Sequence, residues 1–185
     1  EFSGNASGTN TLRAIVFIVT SPLTLSTNGN GSIVGATNGQ PLAVGRASTL
    51  TAKPGAGYLC SNWVGSAASS SNVLRFTMQS NFMLTAQFVP NPFLALAGNY
   101  TGLYYDPANV QHGSAGAVTV TTLPPGGFSA SVRNGIRKFA FTGRFDLDGR
   151  ATNLVVRPGT NALTVELDLD LQGGNRITGR VTDGA

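Results

Sequence analysis

The residues best suited to chemistry in this 185-residue chain lie in one loop, YYDPANVQHGSAG, from Tyr104 to Gly116. The loop combines aromatic, carboxylate, amide and imidazole side chains: Tyr104, Tyr105, Asp106, Asn109 and His112. Aromatic rings stack on the C–H faces of sugars while polar groups bind sugar hydroxyls, so these residues are a candidate ligand-binding site for carbohydrate. An ordinary connecting loop has a similar composition, and that alternative stays open.

Catalysis has few candidate residues elsewhere in the chain. His112 is the only histidine, so neither a histidine-based metal cluster nor a Ser-His-Asp triad is expected. Asp168 and Asp170 lie on one face of a predicted strand, whereas glycoside hydrolysis needs two acids across a cleft. The segment DLDG, Asp146–Gly149, lacks the spacing of a calcium loop and is typical of a hairpin turn. We therefore predict no catalytic residue, no metal, no cofactor and no enzymatic activity.

The composition favours an extracellular all-β protein. Charged residues make up 11% of the chain, against roughly 25% in ordinary globular domains, and Gly, Ser, Thr and Asn replace them. The net charge of +4 rests on few residues: eight of the twelve cationic residues follow residue 130, where acidic residues nearly cancel them. No basic stripe results, so nucleic acid is not expected as a partner. The single cysteine excludes an internal disulfide. No apolar run is long enough to span a bilayer, so membrane insertion is not expected.

Strand signals recur about every 8–12 residues with turn residues between them, and no window shows helical periodicity. The clearest alternation places one apolar row inward: Leu163, Val165, Leu167, Leu169 and Leu171. A second row is formed by Phe82, Leu84, Ala86 and Phe88. Turn residues predict hairpins at Asn28–Gly31, Asn38–Gly39 and Pro54–Gly55. The predicted fold class is all-β with little or no helix: two small β-domains in tandem, the second an antiparallel meander or barrel.

Two segments divide the chain. Residues 1–22 comprise a polar tail and the strand TLRAIVFIV, which is apolar at nearly every position and is therefore expected to complete the sheet of a neighbouring domain, in cis or in trans. The two-proline segment VPNPF, Val89–Phe93, is expected to form a stiff joint. The predicted domains are thus residues 1–22, 23–92 and 93–185.

The stretch TLTAKPGAGYLCSNWVGS, Thr49–Ser66, contains both the only tryptophan and the only cysteine. Trp63 can bury most of its area only against apolar rows on neighbouring strands. We therefore predict a structural core made of Trp63, Tyr58, Phe76 and Phe88. An exposed aromatic platform for sugars is the alternative. Cys60 is expected to be a buried small hydrophobe rather than a nucleophile.

The same stretch and its flanks resemble the bacterial divergent B-repeat, the module related to the B-repeats of internalin B. The matching positions are Gly29-Asn30-Gly31, Gly45, Leu50-Thr51-Ala52, Pro54, Gly57-Tyr58, Trp63, Gly65, Phe76, Met78 and Ala86-Gln87-Phe88. Cys60 stands where the family more often has an aromatic residue. The resemblance implies a small β-grasp-like fold used as a spacer or adhesive unit in long secreted and surface-anchored proteins.

Two looser resemblances flank this module. The segment NTLRAIVFIV is similar to the closing strand of an immunoglobulin-like domain, and residues from Gly98 onward are similar to a β-meander of large verrucomicrobial-type surface proteins. Together the resemblances imply a non-enzymatic structural or adhesive module of an extracellular bacterial surface protein. Its expected partners are neighbouring domains, other copies of itself, or extracellular polysaccharide. The alternatives are a carbohydrate-binding module, and a subunit that polymerises by donating its N-terminal strand.

Overall fold

A computed structural model describes residues 17–108, 111 and 114–183 of the chain. The first seven strands after the N-terminus are β1 (Thr20–Pro22), β2 (Thr24–Asn28), β3 (Gly31–Val34), β4 (Pro41–Ala43), β5 (Ala47–Pro54), β6 (Tyr58–Gly65) and β7 (Val73–Thr77). The remaining strands are β8 (Met83–Pro90), β9 (Gly98–Tyr105), β10 (Ala115–Thr122), β11 (Gly127–Asn134), β12 (Arg137–Arg144), β13 (Arg150–Val155), β14 (Leu163–Leu169) and β15 (Ile177–Asp183). Within the described ranges the only helix is a single 3₁₀ turn, Leu94–Leu96. The all-β prediction is confirmed.

Strands β1 to β8 form two three-stranded sheets and one short pair. One sheet has the order β2-β8-β6, the other β3-β5-β7, and β1 pairs with β4. Of the strands in the two three-stranded sheets, the first and last along the chain are β2 and β8; they lie side by side and parallel, with Thr24 opposite Met83 and Asn28 opposite Gln87. The other described pairs are antiparallel.

The hairpin predictions for this region are wrong. Strands that follow one another along the chain do not pair there, because each predicted turn carries the chain from one sheet to another. Asn28–Gly31 joins β2 to β3, and Pro54–Gly55 joins β5 to β6, which lie in opposite sheets. Gly and Asn permit the reversal of direction, but burial of the apolar rows between the sheets decides which strands pair.

Each apolar row of the first region faces one shared core. The buried residues of this core come mainly from strands of both sheets and include Leu25, Leu50, Ala52, Trp63, Leu74, Phe76, Met78, Leu84, Ala86 and Phe88. The rings of Phe76 and Phe82 stack with centroids 4.8 Å apart. The alternation predicted for β8, which turns Leu84, Ala86 and Phe88 inward, is confirmed.

Strands β9 to β15 form an antiparallel meander, here called the meander. Four strands make one sheet in the order β12-β11-β10-β9, and three make a second in the order β13-β14-β15. The second core lies among them, with Val120, Phe128, Val132, Phe145, Val165 and Leu169 among its buried members. The predicted alternation of β14 is confirmed, since Leu163 to Leu169 are buried at every second position.

The two cores meet at the predicted joint. The Asn91 side-chain amide donates to the carbonyl oxygen of Pro124 over 2.8 Å, and its Oδ1 accepts from the backbone N–H of Phe93 over 2.9 Å. Phe93 is buried in the second core, where its ring lies 6.4 Å from that of Phe145. Leu59 of β6 also packs against the second core. The division into residues 23–92 and 93–185 stays a prediction that these two clusters support.

The beginning of the described chain pairs in cis. Strand β1 places Thr20 opposite Ala43 and Pro22 opposite Pro41, and the backbone N–H of Val44 donates to the carbonyl oxygen of Val19 over 2.8 Å. Residues 20–22 therefore join the following region rather than an upstream neighbour, because β4 offers them a free edge. Residues 1–16, which include most of the predicted strand TLRAIVFIV, lie outside the described residues.

Substitution of Gly29 tests the crossing between the two sheets. Gly29 and Gly39 both adopt a positive φ, +86° and +80°, so alanine carries a similar backbone penalty of roughly 1–2 kcal/mol at each. A Cβ at Gly29 would collide with the carbonyl oxygen of Phe88, whereas nothing lies within 4 Å of one at Gly39. We expect Gly29→Ala to lower the free energy of unfolding by at least about 1 kcal/mol more than Gly39→Ala in urea titrations. Equal losses would contradict the tight crossing.

Candidate functional site

A cavity of about 850 Å³ opens where strands β9 and β15 both end. We call it the mouth cavity, and its polar and aromatic lining includes Tyr104, Tyr105, Asp106, Arg137, Arg157 and Asp183. The joint to the first core involves Pro124 and Phe145, which follow the ends of β10 and β12. In an up-and-down meander those turns lie at the opposite end from the mouth cavity. The mouth cavity therefore faces away from the first core.

The two predicted tyrosines lie on opposite faces of β9, as successive strand residues do. Tyr104 is half-buried and packs against the second core. Its hydroxyl lies over Gly116 of the paired strand, and a Cβ at Gly116 would approach that oxygen to 2.5 Å. Tyr105 is 62% exposed at the rim of the mouth cavity. Only Tyr105 therefore offers a ring face that a ligand can cover without repacking.

Asp106 organises its own loop. Its backbone N–H donates to the carbonyl oxygen of Ser114 over 3.1 Å, and its Oδ1 accepts from the backbone N–H of Ala108 over 2.9 Å. Asp106 is exposed, and none of the described residues donates a hydrogen bond to its second carboxylate oxygen. Asn109 and His112, the other two predicted site residues, lie outside the described residues.

The mouth cavity is also lined by three arginines that the sequence analysis did not single out: Arg137, Arg157 and Arg180. Arg157 is held in place, because its Nη2 lies 2.6 Å from Asp183 Oδ1 and its Nε donates to the carbonyl oxygen of Asn161 over 2.7 Å. Arg180 pairs with Glu166 on the neighbouring strand at 3.1 Å. Only the meander brings these residues near Tyr105, since they are 32 to 75 positions away along the chain.

Other acidic side chains stabilise turns by accepting hydrogen bonds from backbone N–H groups. Asp146 Oδ1 accepts from the backbone N–H groups of Asp148 and Arg150 over 3.0 and 2.8 Å, and Asp170 Oδ1 accepts from that of Gln172 over 2.9 Å. Such bonds are typical of Asx turns. Among residues 17–108, 111 and 114–183, no three His, Cys, Asp or Glu side chains gather as metal ligands would. Within those residues no helix has the length and apolar character needed to cross a bilayer.

Two three-stranded sheets enclose Trp63 in the first half of the chain. Residues 21–92 match the family model of the divergent InlB B-repeat domain. These residues are here called the B-repeat module. No curated protein and no solved structure matches the chain significantly. The match ends at residue 92, so the likeness of the second half to a verrucomicrobial-type meander stays a prediction.

Three of the four predicted core residues of the B-repeat module are buried, and the fourth is half-buried. Trp63 is 0% exposed, Phe76 and Phe88 are buried, and Tyr58 is half-buried against the same cluster. The backbone N–H of Trp63 donates to the carbonyl oxygen of Ser69 over 2.7 Å, while its indole Nε1 has no partner among the described residues. The enclosed ring leaves no face for a sugar.

Cys60 is expected to react slowly in the folded protein. The side chain is half-buried beside the first core, and burial raises the pKa of the Cys60 thiol above its usual value. Because the thiolate is the reactive form, a raised pKa lowers the reactive fraction near neutral pH. We expect alkylation by iodoacetamide at pH 7.5 to be at least about tenfold slower in the native protein than in urea. Equal rates would show that the thiol is freely accessible.

Proposed function

We propose that the chain is a non-enzymatic structural and adhesive unit of an extracellular bacterial surface protein, and that it carries tension along its length. The match of residues 21–92 to the divergent InlB B-repeat domain supports a repeat module of a long protein. The observation that carries the mechanical part is the parallel pairing of β2 with β8. Within the two three-stranded sheets these are the first and last strands along the chain, so a pull on the chain reaches them once the short pair of β1 and β4 has opened.

A parallel terminal pair resists force differently from a hairpin. Tension pulls β2 by its N-terminal end, near Thr24, and β8 by its C-terminal end, near Pro90. Because the strands are parallel, these ends lie at opposite ends of the pair. The ladder hydrogen bonds are then loaded together in shear, whereas a hairpin pulled from its open end loses them one at a time. Forced unfolding follows the unfolding rate, so this arrangement slows it without requiring unusual equilibrium stability.

Side chains reinforce this pair on its exposed face. The hydroxyls of Ser26 and Thr85 lie 2.7 Å apart, and the Asn28 amide donates to Gln87 Oε1 over 2.7 Å. Both contacts cross from β2 to β8, so sliding of one strand along the other must break them. The covalent chain passes the load on to the meander, and the bond from Asn91 to Pro124 braces the joint.

Single-molecule force spectroscopy on the Ser26→Ala/Asn28→Ala variant tests the proposal. Unfolding of the B-repeat module should lengthen the chain by roughly 200 Å, about 3.5 Å per residue less the folded span, which identifies its event. We expect the variant to lower the force of that event. The matched control is Thr121→Ala, which removes the 2.7 Å bond to Asn99 from an exposed strand pair of the meander. The same unfolding force in native protein and variant, or an equal loss with the control, would contradict a clamp between β2 and β8.

A second candidate function is carbohydrate binding at the mouth cavity. It is favoured by the exposed ring of Tyr105 beside Asp106 and three arginines, at the end of the meander far from the joint. Arg157 and Arg180 are paired with Asp183 and Glu166, whereas Arg137 has no ion pair among the described residues. Arg137 therefore favours acidic polysaccharides, whose binding should weaken with salt. We expect Tyr105→Ala to remove saturable binding in a polysaccharide panel and Ile136→Ala, an exposed turn residue, to leave it unchanged. Binding that both variants retain would place the ligand elsewhere, and binding to no polysaccharide would leave the spacer role alone.

A further inference from the structure

The four-stranded sheet of the meander has a second face, opposite the core. Its inner side carries buried residues of the second core, such as Phe128, Ala130 and Val132 of β11. Successive strand residues point to opposite sides, so the strand register assigns the alternate residues to the other side. We call it the outer sheet face, formed by the odd-numbered residues of β9, β10 and β11 and the even-numbered residues of β12. Most of these residues are exposed.

The charged side chains of the outer sheet face are all cations. Arg133 of β11 and Lys138 and Arg144 of β12 are exposed on it. Strands β9 to β12 contain no Asp or Glu. Among the described residues no carboxylate forms an ion pair with any of these three cations. The outer sheet face therefore carries positive charge that no neighbouring group neutralises.

The three-stranded sheet of the meander is different, because its charges occur in pairs. Arg180 of β15 lies 3.1 Å from Glu166 of β14. Arg150 of β13 is the register partner of Asp168 of β14. Opposite charges are therefore neighbours on that sheet. An anion approaching the meander is attracted to the four-stranded sheet rather than to the three-stranded one.

Two of the cations lie side by side. Arg133 and Lys138 are direct partners across β11 and β12, which places their Cβ atoms roughly 5 Å apart. Like charges at such positions destabilise a sheet, and an anion that contacts both removes the repulsion. The Nε of Arg133 donates to the carbonyl oxygen of Gly135 over 3.0 Å, which holds the guanidinium beside the hairpin turn. This pair is suited to a carboxylate or sulfate group.

A shallow groove of about 550 Å³ connects this pair to an apolar part of the same face. Its lining includes Leu103, Tyr105, Ala117 and Arg133. Ala117 of β10 is the register partner of both Leu103 and Arg133, so the three form one row across the sheet that continues to Lys138. The row crosses four strands, roughly 14 Å. A ligand that covers the row is a chain rather than a single small anion.

The other side chains of the outer sheet face suit sugars. Leu103 is 82% exposed beside Tyr105, and both offer apolar surface to the C–H faces of sugar rings. The hydroxyls of Thr119 and Ser131 lie 2.8 Å apart, and that of Thr121 donates to an amide oxygen of β9 over 2.7 Å. These bonds fix the orientation of hydroxyl groups that can also bind sugar hydroxyls.

We propose that the outer sheet face binds an acidic polysaccharide, with an acid group at Arg133 and Lys138 and sugar rings over Ala117 and Leu103. An anionic membrane would require more large apolar side chains than Leu103 and Tyr105. A peptide strand would pair with a sheet edge rather than with a sheet face. The site goes beyond the spacer role, and its cations do not line the mouth cavity.

Binding of soluble polysaccharides to the native chain and to Arg133→Gln/Lys138→Gln tests the proposal. The acidic probes are polygalacturonate and dextran sulfate, and their neutral counterparts are methyl-esterified polygalacturonate and dextran. We expect native protein to bind at least one acidic probe at least about tenfold more tightly than its neutral counterpart. The variant should bind that probe at least about tenfold more weakly than native protein does. Raising the salt concentration from about 0.05 to about 0.5 M should weaken native binding.

Two controls separate loss of the site from loss of charge or of fold. Arg150→Gln/Arg176→Gln removes the same charge from exposed arginines outside the outer sheet face, where Arg176 is paired with Asp170 at 3.4 Å. This variant should bind as native protein does. Without polysaccharide, Lys138→Gln should unfold at the same or a higher urea concentration than native protein, because it relieves the repulsion from Arg133.

Arg137→Gln separates the outer sheet face from the mouth cavity, which Arg137 lines. Loss of binding in Arg137→Gln, with native affinity in Arg133→Gln/Lys138→Gln, would place the ligand in the mouth cavity and overturn the proposal. Native protein that binds neither acidic probe would overturn it too. So would equally tight binding of poly-glutamate, because any polyanion would then suffice. None of these results depends on force, so the spacer role is tested separately.

Discussion

Replacement of Trp63 by alanine is expected to destabilise the B-repeat module by about 3–5 kcal/mol. Trp63 is 0% exposed and lies between the two sheets, opposite Ala86 of β8, so its loss opens a cavity that rigid neighbouring strands cannot close. Natural domains have only about 5–15 kcal/mol of stability, and the variant is therefore expected to be partly unfolded without denaturant. Circular dichroism in urea measures the loss, because the variant has no tryptophan emission.

Two further variants make this result specific. Trp63→Phe keeps most of the apolar ring and removes the indole N–H that has no partner among the described residues, so it should cost less than half as much. Met83→Ala removes an exposed apolar side chain from β8 and should change stability by no more than about 0.5 kcal/mol. A cost below about 1 kcal/mol for Trp63→Ala would mean that the ring is not the centre of the core.

Replacement of Phe128 by alanine is expected to remove about 3–5 kcal/mol from the meander alone. Phe128 is buried in the second core, with its ring centroid 4.7 Å from Phe145 and 6.2 Å from Phe141. The only tryptophan lies in the first core, so tryptophan emission follows the B-repeat module while far-ultraviolet circular dichroism follows both regions. We expect the circular dichroism of the variant to show a transition at a lower urea concentration than that of the native protein. The midpoint of its tryptophan emission should equal the native value within experimental error.

The same experiment tests the predicted division of the chain. If Phe128→Ala moves the emission midpoint as far as the dichroism, the two cores unfold as one unit and the division at residue 93 is wrong. Ile136→Ala, an exposed turn residue of the meander, is the control and should move neither midpoint. Phe93 is less suitable for this purpose because it lies at the joint itself.

Strand positions and buried faces could be predicted because they depend on local pattern. The alternation of Leu163 to Leu169 and of Leu84 to Phe88 fixes which side of each strand is buried wherever the strand is placed. Turn residues likewise mark where the chain reverses. In the meander, consecutive strands do pair within each sheet, so local signals were sufficient there.

Strand partners in the B-repeat module could not be predicted in the same way. Asn28–Gly31 is compatible with a hairpin or with a crossing between sheets, and the choice depends on contacts such as Gly29 against Phe88, 59 residues away. The parallel pair of β2 and β8 is equally long-range. The mouth cavity also combines local and long-range features. Tyr104 to Asp106 could be predicted because they are adjacent in the sequence, whereas Arg157 and Asp183 reach the cavity only through the strand order of the meander.

The most direct test of the tension-bearing role is to pull native protein in two geometries. Attachment at the two chain ends loads β2 and β8 in shear, while attachment at introduced cysteines at Thr24 and Met83, with Cys60 changed to serine, pulls the same pair apart from one end. The proposed clamp predicts a clearly higher unfolding force for the B-repeat module in the first geometry. Equal forces in both geometries would contradict it.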